Sequence, residues 1–434
     1  MKKSLHRLLV ISLILSTMFF AGVYICSAGD DDKPLGEVEI TIWQHSYPPL
    51  NDWTKGHIAD FMEMHPNISV NYELVPFEEW NQKIFTALAT KQGPHFFESD
   101  DYTFAQFMKN DQLAVIEPEF FGFDSVKGLT DDYEGKSLDL VTFDGKLYGI
   151  PYDWEAPVIG YNIRLFKEAG IDPQSIKTWD DAMKAAAKIA KRDAGGILTT
   201  AGLAMVHNID VYYQLQGTTL FNQAGVEILN EDNTKCTINT PKVYKIFEFW
   251  RDNIHKYKTD DPGFTSSFYT QEFGEGRVGM GYMLVWANSI LAPAGYVNGR
   301  DFDLIKIPTF KGGSDISISY SWNWVLNAEN SKEENEAATM LMAYLSEQGD
   351  TYLTEAGLIN PRKGWKERAP KDELDKYTEI IASLEKSKPI MPYVKFNEVW
   401  SAIIKVFKAV EVDPDADIPA LIDACEKEIN EIIQ

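Results

Sequence analysis

Residues 143–172, FDGKLYGIPYDWEAPVIGYNIRLFKEAGID, carry two β-prone runs back to back with a polar, aromatic segment between them. Asp144-Gly145 predicts a tight hairpin turn, whose central positions require positive φ. Leu147, Tyr148, Ile150 and Tyr152 are strand-forming residues, and Pro151, which lacks an N–H, argues against a paired central strand at that point. Residues 158–161 form the second run. Asn162 then supplies the N-cap of a short helix through Ala169, and Gly170 takes the C′ position. Tyr152, Asp153, Trp154 and Glu155 lie between the two runs. Two readings of that tetrapeptide stand at this point: a surface loop, or a hinge crossing whose side chains face a ligand.

The flanking pattern sets the fold class. Residues 38–43, VEITIW, predict a strand that ends in Gln44-His45-Ser46 and a Pro48-Pro49 break. Helical spacing follows over 51–64, a strand over 68–75, a helix over 78–91, and a short apolar strand that runs into acids over 94–101. Such alternation is the α/β pattern of a parallel sheet with right-handed crossovers. In open sheets of this kind ligands sit beyond the carboxyl ends of the strands, which places Gln44 and His45, and the segment with Asp100, Asp101 and Tyr102, at a candidate site. Downstream, Thr178 caps a helix over 179–191, with Asp180 and Asp181 at its positive end. Tyr212 and Tyr213 fall in 208–221, and 243–255 is helical. The run 271–287 reads as a helix end, a turn, a strand and a loop at Trp286. Residues 302–308 predict a strand returning to the first lobe, with Pro308-Thr309 as a second crossing. Residues 316–326 carry Trp322 and Trp324 on one strand face. Arg362 falls in a loop over 357–364, and 374–434 is largely helical with breaks at Pro389, Pro392 and Pro414.

A length of 434 residues exceeds one ordinary core, so two domains or a discontinuous pair are expected. The chain begins as an export signal does. Lys2, Lys3 and Arg7 give a positive start, 8–24 an apolar run, and Cys26-Ser27-Ala28 a cleavage site, so the mature chain is expected to begin near Gly29. Cys26 is alternatively a lipid-bearing N-terminus, although Tyr24-Ile25 lacks the small residues that usually precede such a cysteine. No later segment is apolar over a length that spans a bilayer. Loss of the leader deepens a formal net charge of −24, and so acidic a chain repels nucleic acid and anionic lipid. Cys236 and Cys425 then remain, read here as two separate thiols.

The run DGKLYGIPY, then YNIRLFKEAGI, then Thr178-Trp179-Asp180-Asp181 resembles the extracellular solute-binding proteins of ABC importers, within the sugar-binding group that includes maltose-binding protein. The resemblance extends over about 38–400 as many moderate matches. It implies a two-lobed α/β periplasmic-binding-protein fold, type II-like, whose discontinuous lobes are joined by a hinge. Residues 29–150 and 309–350 would form one lobe, and 151–308 and 351–434 the other. Hinge closure around a ligand is the motion known for such proteins. The resemblance implies ligand-stacking roles for Trp286 and for Trp400 in NEVWSAI, and a ligand-facing acid at Glu155. Ser99-Asp100-Asp101-Tyr102 departs from the maltose-type arrangement, so no particular sugar follows.

A sugar offers apolar faces to aromatic rings and a rim of hydroxyls to charged groups, whose hydrogen bonds are about twice as strong as neutral ones. Gln44, His45, Asp100, Asp101, Tyr102, Asp153, Glu155, Tyr212, Tyr213, Trp286, Trp322, Trp324, Arg362 and Trp400 are the candidates for that work. Trp53, Trp80, Trp179 and Trp250 read as core residues. Of Tyr212 and Tyr213, one is expected to face the cleft. The reading is a monomeric receptor, without cofactor, metal or catalysis, that hands an oligosaccharide to membrane permease subunits. Alternatives are a polyamine ligand held by acids and Trp walls, ferric ion held by Tyr212 and Tyr213, and an exported glycosidase using Asp153 and Glu155.

Overall fold

The Val/Ile face of VEITIW seeds the first sheet. In the computed structural model, which describes residues 35–135, 137–265, 268–349, 351–390 and 395–434, this run is the strand Val38–His45. It pairs in parallel with Ile68–Val75 on one side and, through Ile42 and Trp43, with Phe96–Asp100 on the other. The expected leader 1–28, Cys26 within it, and Pro392 lie outside the described residues. The helices Pro48–Met64 and Trp80–Ala89 are the crossovers. Pro48-Pro49, expected as a break, instead opens the first helix, because proline at the first turn gives up an N–H that has no intrahelical partner there.

Glu37–Gln434 forms one compact unit around two five-stranded sheets. The first runs in the order Ile68–Val75, Val38–His45, Phe96–Asp100, Trp322–Leu326, Gly149–Pro151. Trp322–Leu326 is antiparallel to both its neighbours. Pro151 ends the edge strand, where a missing N–H does least harm. The second sheet runs Phe302–Ile305, Val158–Asn162, Val278–Met283, Leu198–Ala204, Lys191–Arg192. Phe302–Ile305 therefore does not return to the first sheet as the sequence suggested. It pairs antiparallel with Val158–Asn162 and buries Phe302 beside Phe273 and Tyr296. The chain returns later, between Ser317–Ser319, which pairs with Ser387–Pro389, and Trp322.

Local signals set the stretch between the sheets. Asp144 and Gly145 take φ of 49° and 73° at the tip of the hairpin Thr142–Phe143 and Lys146–Leu147. Asn162 Oδ1 accepts from Leu165 N at 3.0 Å, and Gly170 ends the helix Ile163–Ala169 at φ 64°. Tyr152, Asp153, Trp154 and Glu155 are all buried, which overturns the surface-loop reading. Their backbone is zipped to the returning strand. Tyr152 N donates to Trp322 O at 3.0 Å, and Glu155 and Tyr320 exchange both backbone bonds at 2.9 and 3.0 Å. Trp322 N adds a bond to Asp153 Oδ1 at 2.6 Å. The two connections between the sheets thus form one short ladder.

Trp53, Trp80, Trp179 and Trp250 are buried, as read from the sequence. Helices Phe396–Val412 and Ile418–Ile433 pack on each other and on Pro241–His255. Cys236 and Cys425 are buried free thiols. Among the described residues no helix is long and apolar enough to cross a membrane. The helix Trp179–Ile189 opens on a capping box, with Asp181 N donating to Thr178 Oγ1 at 3.2 Å and Thr178 N to Asp181 Oδ2 at 3.0 Å. Thr178→Ala is expected to lower stability by about 1 kcal/mol, read as a shifted urea midpoint at unchanged m-value.

Candidate functional site

Beside the zipped crossings, where the two sheet-centred halves face each other, lies a cavity of about 370 Å³. That is within the range of about 300–1,000 Å³ usual for small-ligand sites. His45 and Trp322, from strands of the first sheet, and Phe77, beyond the carboxyl end of Ile68–Val75, line one side. Asp153, Glu155 and Tyr320 come from the crossings, and Tyr212, Phe268 and Trp286 from the other half. The rings form a continuous wall. His45 lies on Trp322 at a centroid distance of 4.4 Å, and Phe77 meets His45 at 5.6 Å. Phe77 reaches Phe268 at 6.0 Å, and Phe268 packs edge-on against Tyr212 at 5.0 Å and Trp286 at 5.7 Å.

The floor of the cavity is acidic. Glu98, behind His45, accepts from His45 N at 2.8 Å and from Tyr152 OH at 2.9 Å, and its Oε2 lies 2.7 Å from His45 Nδ1. The buried carboxyls of Asp153 and Glu155 lie side by side at the cavity. Burial, and then the Glu155 charge, hold the Asp153 carboxyl well above the usual range. Burial also pushes Glu155 up to about 7, against the bond from Asp153 that favours its charged form. Glu155 Oε2 is buried and has no hydrogen-bond partner in the protein.

His45, Asp153, Glu155, Tyr212, Trp286 and Trp322 are thus brought together at the cavity. The other residues singled out from the sequence lie elsewhere. Gln44 points to the opposite face of its strand, where it accepts from Asn51 Nδ2 at 3.0 Å and from Tyr72. Asp100 caps the helix Asp101–Lys109 through Thr103 N at 2.7 Å and Thr103 Oγ1 at 2.6 Å. Asp101 ties that helix to the returning strand, accepting from Ser321 N at 2.8 Å and Asn323 Nδ2 at 3.0 Å. Tyr102 is buried between Tyr320 and Phe396, at 5.5 and 5.2 Å. Tyr213 turns about 100° from Tyr212, as neighbours on a helix must, and donates to Glu411 at 2.9 Å. Trp324 stacks on Tyr152 at 5.1 Å. Trp400 is fully buried near Phe221 and Phe396, and Gly217 passes so close that a Cβ there would lie 2.6 Å from its ring.

Arg362 clamps Asp132, with Nε 2.9 Å from Oδ2, and so joins its loop to the segment around Tyr133. Arg362→Ala is expected to cost about 1 kcal/mol of stability and to change ligand affinity by less than about twofold, as melting and calorimetry would show.

Phe77, Tyr320 and Phe268 are cavity residues that sequence reasoning missed. Phe77 follows the second parallel strand at its carboxyl end, so the rule that pointed to His45 extends to it. Tyr320 and Phe268 sit in connections with no comparable signal. Among the described residues no group of three or more His, Cys, Asp or Glu side chains could hold a metal ion.

The family profile of bacterial extracellular solute-binding proteins matches residues 47–351. The arabinooligosaccharide-binding protein of Bacillus subtilis is 26% identical over 407 residues, covering 88% of this chain and 86% of the relative. A solute-binding protein of an ABC transporter from Thermotoga lettingae, solved with α-D-tagatose, superposes with a TM-score of 0.79 at 20% identity. It covers 91% of this chain and 100% of that one. An ABC substrate-binding protein of Listeria monocytogenes, solved with cycloalternan, does so at 0.77 and 21% identity, covering 91% and 98%. With two sheets joined by a short ladder of crossings and a profile match over most of its length, the chain belongs to the bacterial extracellular solute-binding protein family.

Proposed function

We propose that the protein is the receptor of an ABC importer and captures an oligosaccharide in the cavity between its two halves. The observation that carries this reading is the make-up of the cavity: a wall of aromatic rings next to carboxylates set on the crossings themselves. Rings take the apolar faces of a sugar, and buried carboxylates take its hydroxyls through charge-assisted bonds. The name of the Bacillus subtilis relative supports an oligosaccharide over other solutes. Phe77 and Phe268 belong to opposite halves, so a ligand that touches both favours the closed arrangement.

The reading includes binding without turnover. Glycosidases hold two carboxyl groups about 5–10 Å apart across the scissile bond, whereas Asp153 and Glu155 are within hydrogen-bond reach of each other. It also includes export, with residues 1–28 removed or Cys26 lipidated, a monomeric receptor, and delivery to permease subunits in the membrane. Calorimetric titration with a panel of oligosaccharides, with the sugars recovered and checked for cleavage, tests it. Saturable binding of a glycan recovered intact supports the receptor. Cleaved products, or binding of spermidine or Fe³⁺ and of no glycan, overturn it.

A further inference from the structure

The acids around the cavity have almost no cationic counterpart. Glu98, Asp100, Asp101, Asp153 and Glu155 are each no more than 5% exposed. His45, beside Glu98, is the basic side chain at the cavity wall, and among the described residues no Lys or Arg lines it. Most of these carboxylates are satisfied by donors of the protein: Glu98 by His45 and Tyr152, Asp100 by Thr103, Asp101 by Ser321 and Asn323. Glu155 is different, since it lines the cavity and its buried Oε2 has no partner. A pocket lined by carboxyl groups, with no Lys or Arg on its wall, favours a cationic group over an anionic one. Rings such as those of Tyr212, Trp286 and Tyr320 are also the surroundings that an ammonium group prefers.

Building on the oligosaccharide reading, we propose that the preferred ligand is an amino-sugar oligomer whose free ammonium group seats on the Glu155 carboxylate. His45 faces the same pocket, with Glu98 behind it, and both keep their present hydrogen bonds.

The test is calorimetry on the full chain at neutral pH, with a β-linked glucosamine oligomer and its fully N-acetylated counterpart. The glucosamine oligomer is expected to bind at least about tenfold more tightly. In Glu155→Gln, with folding checked by melting, that preference is expected to drop to about twofold. Equal or tighter binding of the N-acetylated oligomer by the wild type overturns this inference and leaves the oligosaccharide reading in place. No binding of any glycan overturns both.

Discussion

Replacing Trp286 by Ala is expected to weaken oligosaccharide binding about 40-fold while leaving the unfolding midpoint nearly unchanged. Trp286 lies in the loop after the strand Val278–Met283 and is only partly buried, lining the cavity and meeting Phe268 in an edge-to-face contact at 5.7 Å. A sugar face stacked there removes roughly 50 Å² of apolar surface from water, or about 1.3 kcal/mol at about 25 cal/mol/Å². The ring contact itself adds about 1 kcal/mol, and the sum of about 2.3 kcal/mol gives the fold-change. Trp286→Phe keeps a smaller platform and is expected to lose only about threefold to fivefold. Calorimetry is the suitable readout, since the substitution removes a fluorophore. Trp322 is a poorer probe. It is 6% exposed and packs on His45, so its truncation disturbs the sheet and the site together. Unchanged affinity in Trp286→Ala would remove the stacking role and leave Trp322 and Tyr212 as the rings to examine.

The contrast between Trp286 and Trp400 shows what the sequence could and could not reveal. Both match aromatic positions of the resemblance, but Trp400 shares a helix stripe with Phe396, Ile403 and Phe407 and lies in the core. The i, i+3, i+4, i+7 spacing of a buried helix face was present in NEVWSAIIKVF and is the stronger physical signal. Gln44 and His45 fail as a pair for a similar reason, because adjacent residues of a strand point to opposite faces. Trp322 and Trp324 do share a face. Trp322 sits at the end of its strand next to the crossing, whereas Trp324 lies about 7 Å deeper, beneath Tyr152.

Many of the elements were legible from alternation, turn chemistry and caps, since Asp144-Gly145, Asn162 and Gly170 act through local backbone geometry. The edge position of Phe302–Ile305 was not, because the pairing partner of an apolar strand is decided by tertiary packing rather than by its own residues. The acids at 100 and 101 misled for another reason. A carboxylate at a strand's end serves a helix N-terminus as readily as a ligand, and here both are occupied by donors of the protein. What the sequence did expose was the tetrapeptide 152–155, whose polarity within an apolar run needed a cause. That cause is the coupling of hinge and site on the same residues.

The other large effect concerns His207, which no reading of the sequence singled out. It lies buried with Nε2 3.0 Å from Asp260 Oδ2 and Nδ1 2.7 Å from Glu411 Oε1. Glu411 also accepts from Trp250 Nε1 and Tyr213 OH, both at 2.9 Å, so the cluster joins the helix Phe396–Val412 to the rest of its half. Burial by itself would lower the His207 pKa, but the two carboxylates outweigh it and push the value up to about 10 from 6.5. A histidine raised in this way contributes stability in full below the unfolded value and loses it as pH climbs from about 6.5 to about 10, on the order of 5 kcal/mol. Glu155 acts in a lower window with the same sign. Its folded value lies above its unfolded one, so stability falls as pH rises from 4.5 to about 7. Between about pH 7 and 10, His207 therefore governs the slope of the two. His207→Gln leaves Asp260 and Glu411 buried without a cation, and urea unfolding near pH 6 is expected to show a loss of about 3–5 kcal/mol. Near pH 10 the wild type has itself given up that cation, and the gap between the two proteins is expected to shrink to about 1 kcal/mol. A gap that stays constant across the range would mean that His207 is held neutral and acts only through its hydrogen bonds.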